Sequence, residues 1–577
     1  MTDSMLHVSG IERRLAEQYL NTYCRETGQP DPRLATSTSP EPTLAEHCRH
    51  WRETALQPFV LDFTHAGVRL AGAFSYFSPI GYHRLGSALW LGQQGVWRRL
   101  DDVATLSDLI AGALEAAASG DGAPNLAQGR LRLQALMRNS IAKVRRFHQD
   151  TPAVPRPAYA QSEQGLRFGH IFHVTSKASD GFTESDLQAY APELGASFQL
   201  HYFAVRSELL QRRSLEGKAP PIDPAALHYA EPLLREGDYR LLPCHPWQAR
   251  YLLAQPEVSH LLREGALISL GALGERAWPT SSVRTVWLPQ QALFIKLALN
   301  IRITNFVRNN PDEHVRRALD ASLALSCLPA QRVRQPHFCI LLETASETLR
   351  LPDPELRAGF AILYRQAMNA EQAAQVHLVA TLVEEAADGS VPLQTLLLQA
   401  AGSVPPDQAM VQRWWQRYLE VTLLPMLELF ADYGVSLEAH LQNSLVGFAQ
   451  GWPVCGYARD MEGTSISRQR FPLLERLDAD SPALYSEAQA WHRFQYYVLV
   501  NHIGHVAASL ARLGWCDEHS LWEQARRSLL GCAASALPLV DELLQQASLP
   551  AKANLLSSFH QQGETPSWIT IANPLRK

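Results

Sequence analysis

The stretch Phe294-Ile-Lys-Leu-Ala-Leu-Asn-Ile-Arg-Ile-Thr-Asn-Phe-Val-Arg308 sets basic and amide side chains inside an otherwise apolar run. Its first half alternates as a half-buried strand does. Ile295, Leu297 and Leu299 face one way; Lys296, Ala298 and Asn300 face the other. An unpaired buried charge is costly, so Lys296 calls for an anionic partner. Continued as one strand, Lys296 and Thr304 would stand about 26 Å apart at ~3.3 Å per residue, too far to share one small ligand. A break near Asn300 is therefore expected. Thr304 and Arg308 then fall at i and i+4 on one face of a following helical turn, whose backbone N–H groups are also open to an anion.

Working outward, Pro279-Thr-Ser-Ser-Val-Arg-Thr285 lies just upstream and is rich in hydroxyls. Ser282, Thr285 and their neighbours can donate to phosphate oxygens, and the Arg284 guanidinium can bind two oxygens at once. A polar loop capping a strand would look the same. Downstream, Leu437-Glu-Ala-His-Leu-Gln-Asn-Ser444 puts Glu438, His440 and Gln442 on one face if extended, with Asn443 next. Arg459-Asp-Met-Glu-Gly463 follows. Asn443 and Asp460 can together hold Mg2+ on a nucleotide, as in kinase-type sites; a structural histidine and a solvated Arg–Asp turn are the plainer alternative.

Three further clusters are less specific. Cys244-His-Pro-Trp-Gln248 reads as a packed turn after Tyr239-Arg-Leu-Leu-Pro243. Gly169-His-Ile-Phe-His173 with Lys177 would suggest a metal only with a third ligand, and none stands out. His502 and His505 suit a helix surface or a structural role. Glycine loops of the P-loop, dinucleotide-binding and nucleophile-elbow types are absent from the sequence, so any nucleotide must be held by side chains on mixed structure.

A chain of 577 residues exceeds one hydrophobic core, and two to four domains or lobes are expected. The apolar content of 46% and charged content of 19% are those of an ordinary globular protein. With a net charge of −5 and no basic run, nucleic acid is not an expected partner. The eight cysteines are scattered without a Cys-x-x-Cys pair and read as reduced core residues, not a zinc site. Met1 to Met5 does not open a secretory signal. No apolar run approaches the ~20 residues that cross a bilayer, and a cytoplasmic protein is expected.

Punctuation divides the chain. Arg25 to Glu46 reads as an irregular connection, Ser119 to Pro124 as a turn, Thr151 to Pro157 as a lobe boundary, and Ser214 to Pro224 and Gly402 to Asp407 as loops. Val68 to Phe77 predicts a strand and Leu126 to Gln149 a helix. The middle, from about residue 160 to 350, is mixed. The last third is expected to be largely helical, with one helix from Arg413 to Tyr433 stopped by Gly434.

In their order, HPWQ at 245–248, TSSVRT at 280–285, KLALNIRITNFVR at 296–308, EAHLQN at 438–443 and RDMEG at 459–463 resemble the IucA/IucC family of NRPS-independent siderophore synthetases. GHIFHVTSK at 169–177 matches less closely. YFSPIGYHR at 76–84 and the terminal ANPLRK are most similar to the aerobactin-type, IucA branch. The resemblance spans nearly the whole chain. It implies an α+β fold shaped as a three-part cupped hand: a thumb over 1–157, fingers over 158–350, and a mostly helical, faintly kinase-like palm over 351–577. It implies ATP and Mg2+ as cofactors, and an acyl-adenylate-forming ligase that joins citrate or a citrate-like acid to an amine or alcohol. It further implies that Ser282, Arg284, Thr285 and Lys296 meet the ATP phosphates, that Arg308 lies between phosphate and acid, and that Thr304 and His440 face the acid. Glu438, Gln442, Asn443 and Asp460 would bind nucleotide or Mg2+. Arg493 is the candidate for a C-terminal arginine on a citrate carboxylate, or else a helix-surface charge. Family resemblance also implies a homodimer. Among other acids, 2-oxoglutarate or a citryl amide remains open, and a small-molecule kinase would also fit Lys296, Asn443 and Asp460.

Overall fold

The computed structural model describes residues 2–29, 31–33, 41–118, 126–149, 155–304, 306–402, 404–562 and 566–577. The turn expected at Ser119 to Pro124 and the start of the boundary at Thr151 to Pro157 fall outside them. Helices and sheets alternate along the chain in an α+β arrangement.

The first unit is a five-stranded antiparallel sheet built on Gln57–Phe63 and Val68–Tyr76, with Arg84–Leu85, Trp90–Gln93 and Val96–Arg99 beside them. Val68–Tyr76 is the strand expected over Val68 to Phe77. The helices Thr2–Glu26, Val103–Ala118 and Leu126–Phe147 cover it, and one core joins Leu15, Tyr19, Phe59, Phe74, Ile110, Leu133 and Met137. The helix Pro42–Glu53 occupies the end of the segment expected to be irregular, opened by Pro42 at its first position.

The eight-stranded central sheet has Leu293–Lys296 near its middle. That strand pairs antiparallel with Thr285–Leu288 on one side, Thr285 opposite Lys296, and with Ile362–Gln366 on the other. Phe294 stands opposite Arg365. Residues two apart share a face, so Lys296 and Arg365 emerge on one face as diagonal neighbours.

Two local expectations are corrected. After Lys296 the chain breaks at Leu297–Ala298, then resumes as Leu299–Ile303 and returns as Phe306–Arg308. Thr304 and Arg308 therefore lie on a β-hairpin, not a helical turn. Ile303 pairs with Phe306, and Thr304 at the turn has φ 57°. The β-branched Ile301, Ile303 and Val307 favour the pleat over the helix, and a tight hairpin turn demands positive φ. The helix expected from Arg413 to Tyr433 is two helices, Gln408–Val421 and Leu423–Tyr433. Pro425 has no N–H for the Val421 carbonyl and its ring would strike it, so the helix breaks at Thr422. Gly434 ends the second helix in the left-handed region, φ 66°, as predicted.

The C-terminal third is richer in strand than expected. A five-stranded sheet, ordered Arg334–Gln335, Phe338–Leu341, Trp452–Arg459, Ser444–Ala449 and Val376–Leu378, packs beneath these helices. A ten-residue π-helix, Gln495–Gly504, is continuous with Glu487–Phe494 and His505–Arg512. His502 is buried within it and His505 is buried just past its end, so neither lies on a helix surface; the Tyr418 hydroxyl lies 2.6 Å from His502 Nε2. None of the eight cysteines is in a disulfide. Glu385 holds the ends of the chain together, pairing with Arg13 and Arg84 through one oxygen and with Arg512 and Arg14 through the other. No described helix is long and apolar enough to cross a membrane.

Candidate active site

Lys296 ends its strand with only 4% exposure, and its ammonium finds the anionic partners the sequence required. Nζ donates to Asp460 Oδ1 at 2.8 Å and to Glu462 Oε2 at 2.7 Å. Asp460 also meets Arg365 Nη2 at 3.3 Å, and Glu462 meets His314 Nδ1 at 3.0 Å. Arg365 is braced by Glu343, whose second oxygen accepts from the Met461 amide. Asp460 is held at φ 71°, a backbone conformation that costs energy for a residue with a Cβ. Burial raises the Asp460 carboxyl, but Lys296 and Arg365 outweigh it and hold it below the usual carboxylate range. Glu462 is likewise depressed against burial by Lys296 and His314. Both carboxylates are thus ionised at neutral pH.

The hydroxyl-rich turn joins two strands of the central sheet. The Thr280 amide donates to the Thr285 carbonyl at 2.8 Å, and Val283 takes φ 68° at the tip. Ser282 is half-buried, with its hydroxyl 3.1 Å from that of Thr280. Arg284 reaches under the 299–308 hairpin and donates through Nη1 to the carbonyls of Arg308 and Asn309 and to Asn310 Oδ1. Part of its donor capacity is therefore structural. Ser281 is tied to Glu163, which pairs with Arg459. Arg459 is buried and is not the solvated turn of the plainer alternative.

Across the hairpin, Arg308 Nη2 donates to Thr304 Oγ1 at 3.0 Å and to the Ile303 carbonyl at 3.1 Å. Burial draws its pKa down to about 10. His170 and His173 lie within electrostatic reach of Arg308, and the His170 ring stands 5.7 Å from that of His440. Burial lowers His440 to about 4 and the other two to about 3, so all three are neutral near pH 7.

Residues 437–443 bend at His440 into a turn over 441–443 and do not form the extended face expected. The Asn443 amide therefore folds back onto the Glu438 carbonyl at 3.1 Å, while Gln442 Nε2 crosses to Ser281 Oγ at 3.2 Å. Asn443 and Asp460 each have other partners, so the pair offered for Mg2+ is not preassembled. Among the described residues no group of three or more His, Cys, Asp or Glu is arranged to hold a metal. Asp460 and Glu462 are nonetheless of the right chemistry, since Mg2+ takes one or two protein carboxylates and fills its shell with phosphate and water.

Beyond Glu438 the site becomes cationic and aromatic. Lys552 donates to the Tyr497 hydroxyl at 2.7 Å. The Arg493 guanidinium lies 5.2 Å from the ring centroids of both Tyr485 and Tyr497 and donates to the Gly463 carbonyl. Arg493 is thus half-buried between these rings and not a freely exposed helix-surface charge. Arg365, Glu462 and Lys552 were missed by sequence reasoning. Arg365 carried the same signal as Lys296, a charge within the apolar strand Ile-Leu-Tyr-Arg-Gln366. Lys552 carried none, being a lone lysine in a short terminal hairpin.

The IucA / IucC family model matches residues 158–384, and a ferric iron reductase FhuF-like transporter model matches residues 412–567. The L-2,3-diaminopropanoate–citrate ligase of Staphylococcus aureus (strain NCTC 8325 / PS 47) is 33% identical over 530 residues, covering 88% of this chain and 89% of that protein. The spermidine-citrate ligase of Bacillus anthracis is 26% identical over 602 residues, covering 99% of each. The structure of ATP-bound aerobactin synthetase IucA from a hypervirulent pathotype of Klebsiella pneumoniae superposes with a TM-score of 0.81 at 24% identity, over 98% of this chain and 99% of that one, and shares its fold.

Proposed function

Because the chain belongs to the IucA/IucC family and is a ligase of siderophore biosynthesis, we propose that it uses ATP to adenylate a citrate carboxylate and passes the acyl group to an amine, releasing pyrophosphate and then AMP. A carboxylate is a poor acyl donor until one of its oxygens becomes a good leaving group. Two polyanions must therefore be neutralised and held in line. The observation that carries this reading is the buried Lys296, 2.7–2.8 Å from two carboxylates and flanked by Arg284, Arg308 and Arg365. An anionic ligand can exchange with those carboxylates without creating a new buried charge.

In this reading Ser282, Arg284, Thr285 and Lys296 take the phosphates, with Glu438, Gln442 and Asn443 on the nucleotide. Arg308 bridges the α-phosphate and the acid, and Thr304, His440, Arg493 and Lys552 meet the acid. The neutral His440 can orient a carboxylate or accept the proton of an attacking amine. Asp460 with Asn443 or Glu462 would hold Mg2+, which when bound offsets phosphate charge. The lobes 1–157, 158–350 and 351–577 correspond to thumb, fingers and palm, supported by separate cores in the first unit and in the central sheet. A kinase-like palm, a homodimer and a cytoplasmic location rest on the family resemblance.

The test is ATP, Mg2+, citrate and hydroxylamine, which captures acyl-adenylates. Citrate-dependent hydroxamate with release of AMP and pyrophosphate is expected. ADP would indicate a kinase, and product from 2-oxoglutarate alone would overturn the choice of acid.

A further inference from the structure

Arg25, near the end of the long N-terminal helix, is 8% exposed. Among the described residues its Nε and Nη1 have no hydrogen-bond partner, and no carboxylate lies within 4.0 Å of its guanidinium. Its neighbour Glu26 does not serve: one Glu26 oxygen accepts from the Leu556 amide, and burial pushes that carboxyl up to about 7. The Arg25 guanidinium stacks 4.0 Å from the Phe172 ring centroid, and Gly81 packs against its stem. A buried guanidinium placed this way, with Nε and Nη1 unbonded, lacks a hydrogen-bonded anion.

The wall near it is the π-helix. In that wide helix Tyr496 and Asn501, five apart, lie one above the other, and His505 follows four residues on. Asn501 Nδ2 donates to the Tyr496 hydroxyl at 3.3 Å, while its Oδ1 is unpartnered. His505 Nδ1 lies 2.7 Å from the Asn501 carbonyl, which can only accept. Nδ1 therefore carries the proton, and the buried, unpartnered Nε2 presents a bare lone pair. A guanidinium with two unbonded donors thus lies within electrostatic reach of Tyr496 and His505, on a helical run that carries two free acceptors. Tyr496 links this cluster to the acid site, its ring centroid 5.6 Å from Lys552 Nζ.

We propose that Arg25, Asn501 and His505 form the acceptor subsite, in which Arg25 binds the carboxylate of an amino-acid acceptor while Asn501 and His505 take its N–H donors. The ligase accordingly uses a carboxylate-bearing amine in preference to a simple polyamine. This inference rests on the adenylating-ligase reading. The acid is the other possible source of a carboxylate, but Arg308, Arg493 and Lys552 already supply cations on its side of Tyr496.

The experiment compares acceptors that differ only by a carboxylate: L-2,3-diaminopropanoate against 1,2-diaminoethane, and L-ornithine against putrescine. Pyrophosphate release is measured with the full chain, citrate and ATP. The wild type should favour the amino acid of the productive pair. Arg25→Met should raise that acceptor's KM about 10- to 100-fold and erase the preference, with Arg25→Lys restoring it only in part. Citrate KM in the hydroxylamine-trapped half-reaction should stay at the wild-type value. A wild type that uses diamines as well as amino acids overturns the subsite. A raised citrate KM in Arg25→Met assigns the carboxylate to the acid and overturns it too. Should Arg25→Met fail to fold, Asn501→Asp sets a fixed carboxylate opposite Arg25. It should depress amino acids while sparing diamines, and equal effects on both overturn the proposal. If the wild type gives no hydroxamate at all, the ligase reading itself fails and the subsite falls with it; hydroxamate without carboxylate discrimination refutes the subsite alone.

Discussion

The Lys296 ammonium and the Asp460 carboxylate, 164 residues apart in the chain, meet at 2.8 Å. A strand of the central sheet and a turn after a C-terminal strand are thereby locked at the point where their charges cancel. Removing either partner leaves the other buried.

Lys296→Ala should slow adenylation by roughly 10- to 150-fold, the cost of a charge-assisted bond of ~1.5–3 kcal/mol, while leaving the acid's KM nearly intact. Steady-state pyrophosphate release against varied ATP and varied citrate separates the two; a raised citrate KM would move Lys296 to the acid side. The pH dependence of stability also shifts. Asp460 and Glu462 are depressed in the folded state, so their contribution is present above the ordinary carboxylate range and is lost as pH falls through the depressed values. Without Lys296 their pKa values rise, and acid unfolding of the variant should begin at a higher pH than in the wild type.

Arg308→Ala should behave differently, raising the acid's KM and lowering kcat together. Its hydrogen bond to Thr304 fixes the guanidinium plane across the hairpin. Arg308→Lys should rescue only in part, because an ammonium cannot make two parallel bonds. Unchanged citrate KM in Arg308→Ala would remove it from the acid site.

Six histidines, 170, 173, 245, 440, 502 and 505, are driven by burial to about 3 or 4. An unfolded histidine titrates near ~6.5. Between those values the unfolded chain binds more protons, so stability is intact above ~6.5 and declines as pH falls toward 4, by at most about 1.4 kcal/mol per pH unit for each. Unfolding temperatures at successive pH values from neutral downward should drop before the carboxylates titrate. A flat profile to pH 5 would contradict the burial of these rings in neutral form.

Glu385→Gln should destabilise the protein by about 1–3 kcal/mol, because Arg13, Arg14, Arg84 and Arg512 lose one counter-charge while Glu17 still pairs with Arg14 and Arg512. Thermal unfolding reads this directly. A change below 1 kcal/mol, as for an exposed pair, would show that solvent already screens the network.

Much of the site was legible because its signals were local. Lys296 announced a buried partner by interrupting an apolar strand, and Gly434 announced a helix end. Other features depended on chain segments that the sequence does not juxtapose. Alternation could not reveal that Thr304 turns back on itself, because i and i+4 spacing serves a helix and a hairpin equally. Pro425 was visible, but its effect on Val421 was hidden by strong apolar periodicity on both sides. Lys552 gains its meaning only from Tyr497, 55 positions away.

The π-helix acts as a phase shifter. Each residue of an α-helix advances about 100° around the axis, and the wider turn of a π segment changes where the next residues point. Within one unbroken run from Glu487 to Arg512, Arg493 is thereby aimed at Gly463 beside the proposed acid site, and Arg512 at Glu17 and Glu385 of the buried ion-pair network. Substitutions within 495–504 alter chemistry at one point, whereas losing a single residue rotates everything after it relative to everything before. Chain length in this segment is therefore more tightly constrained than side-chain identity, and the Arg493 contact and the Arg512 ion pairs must keep a common register.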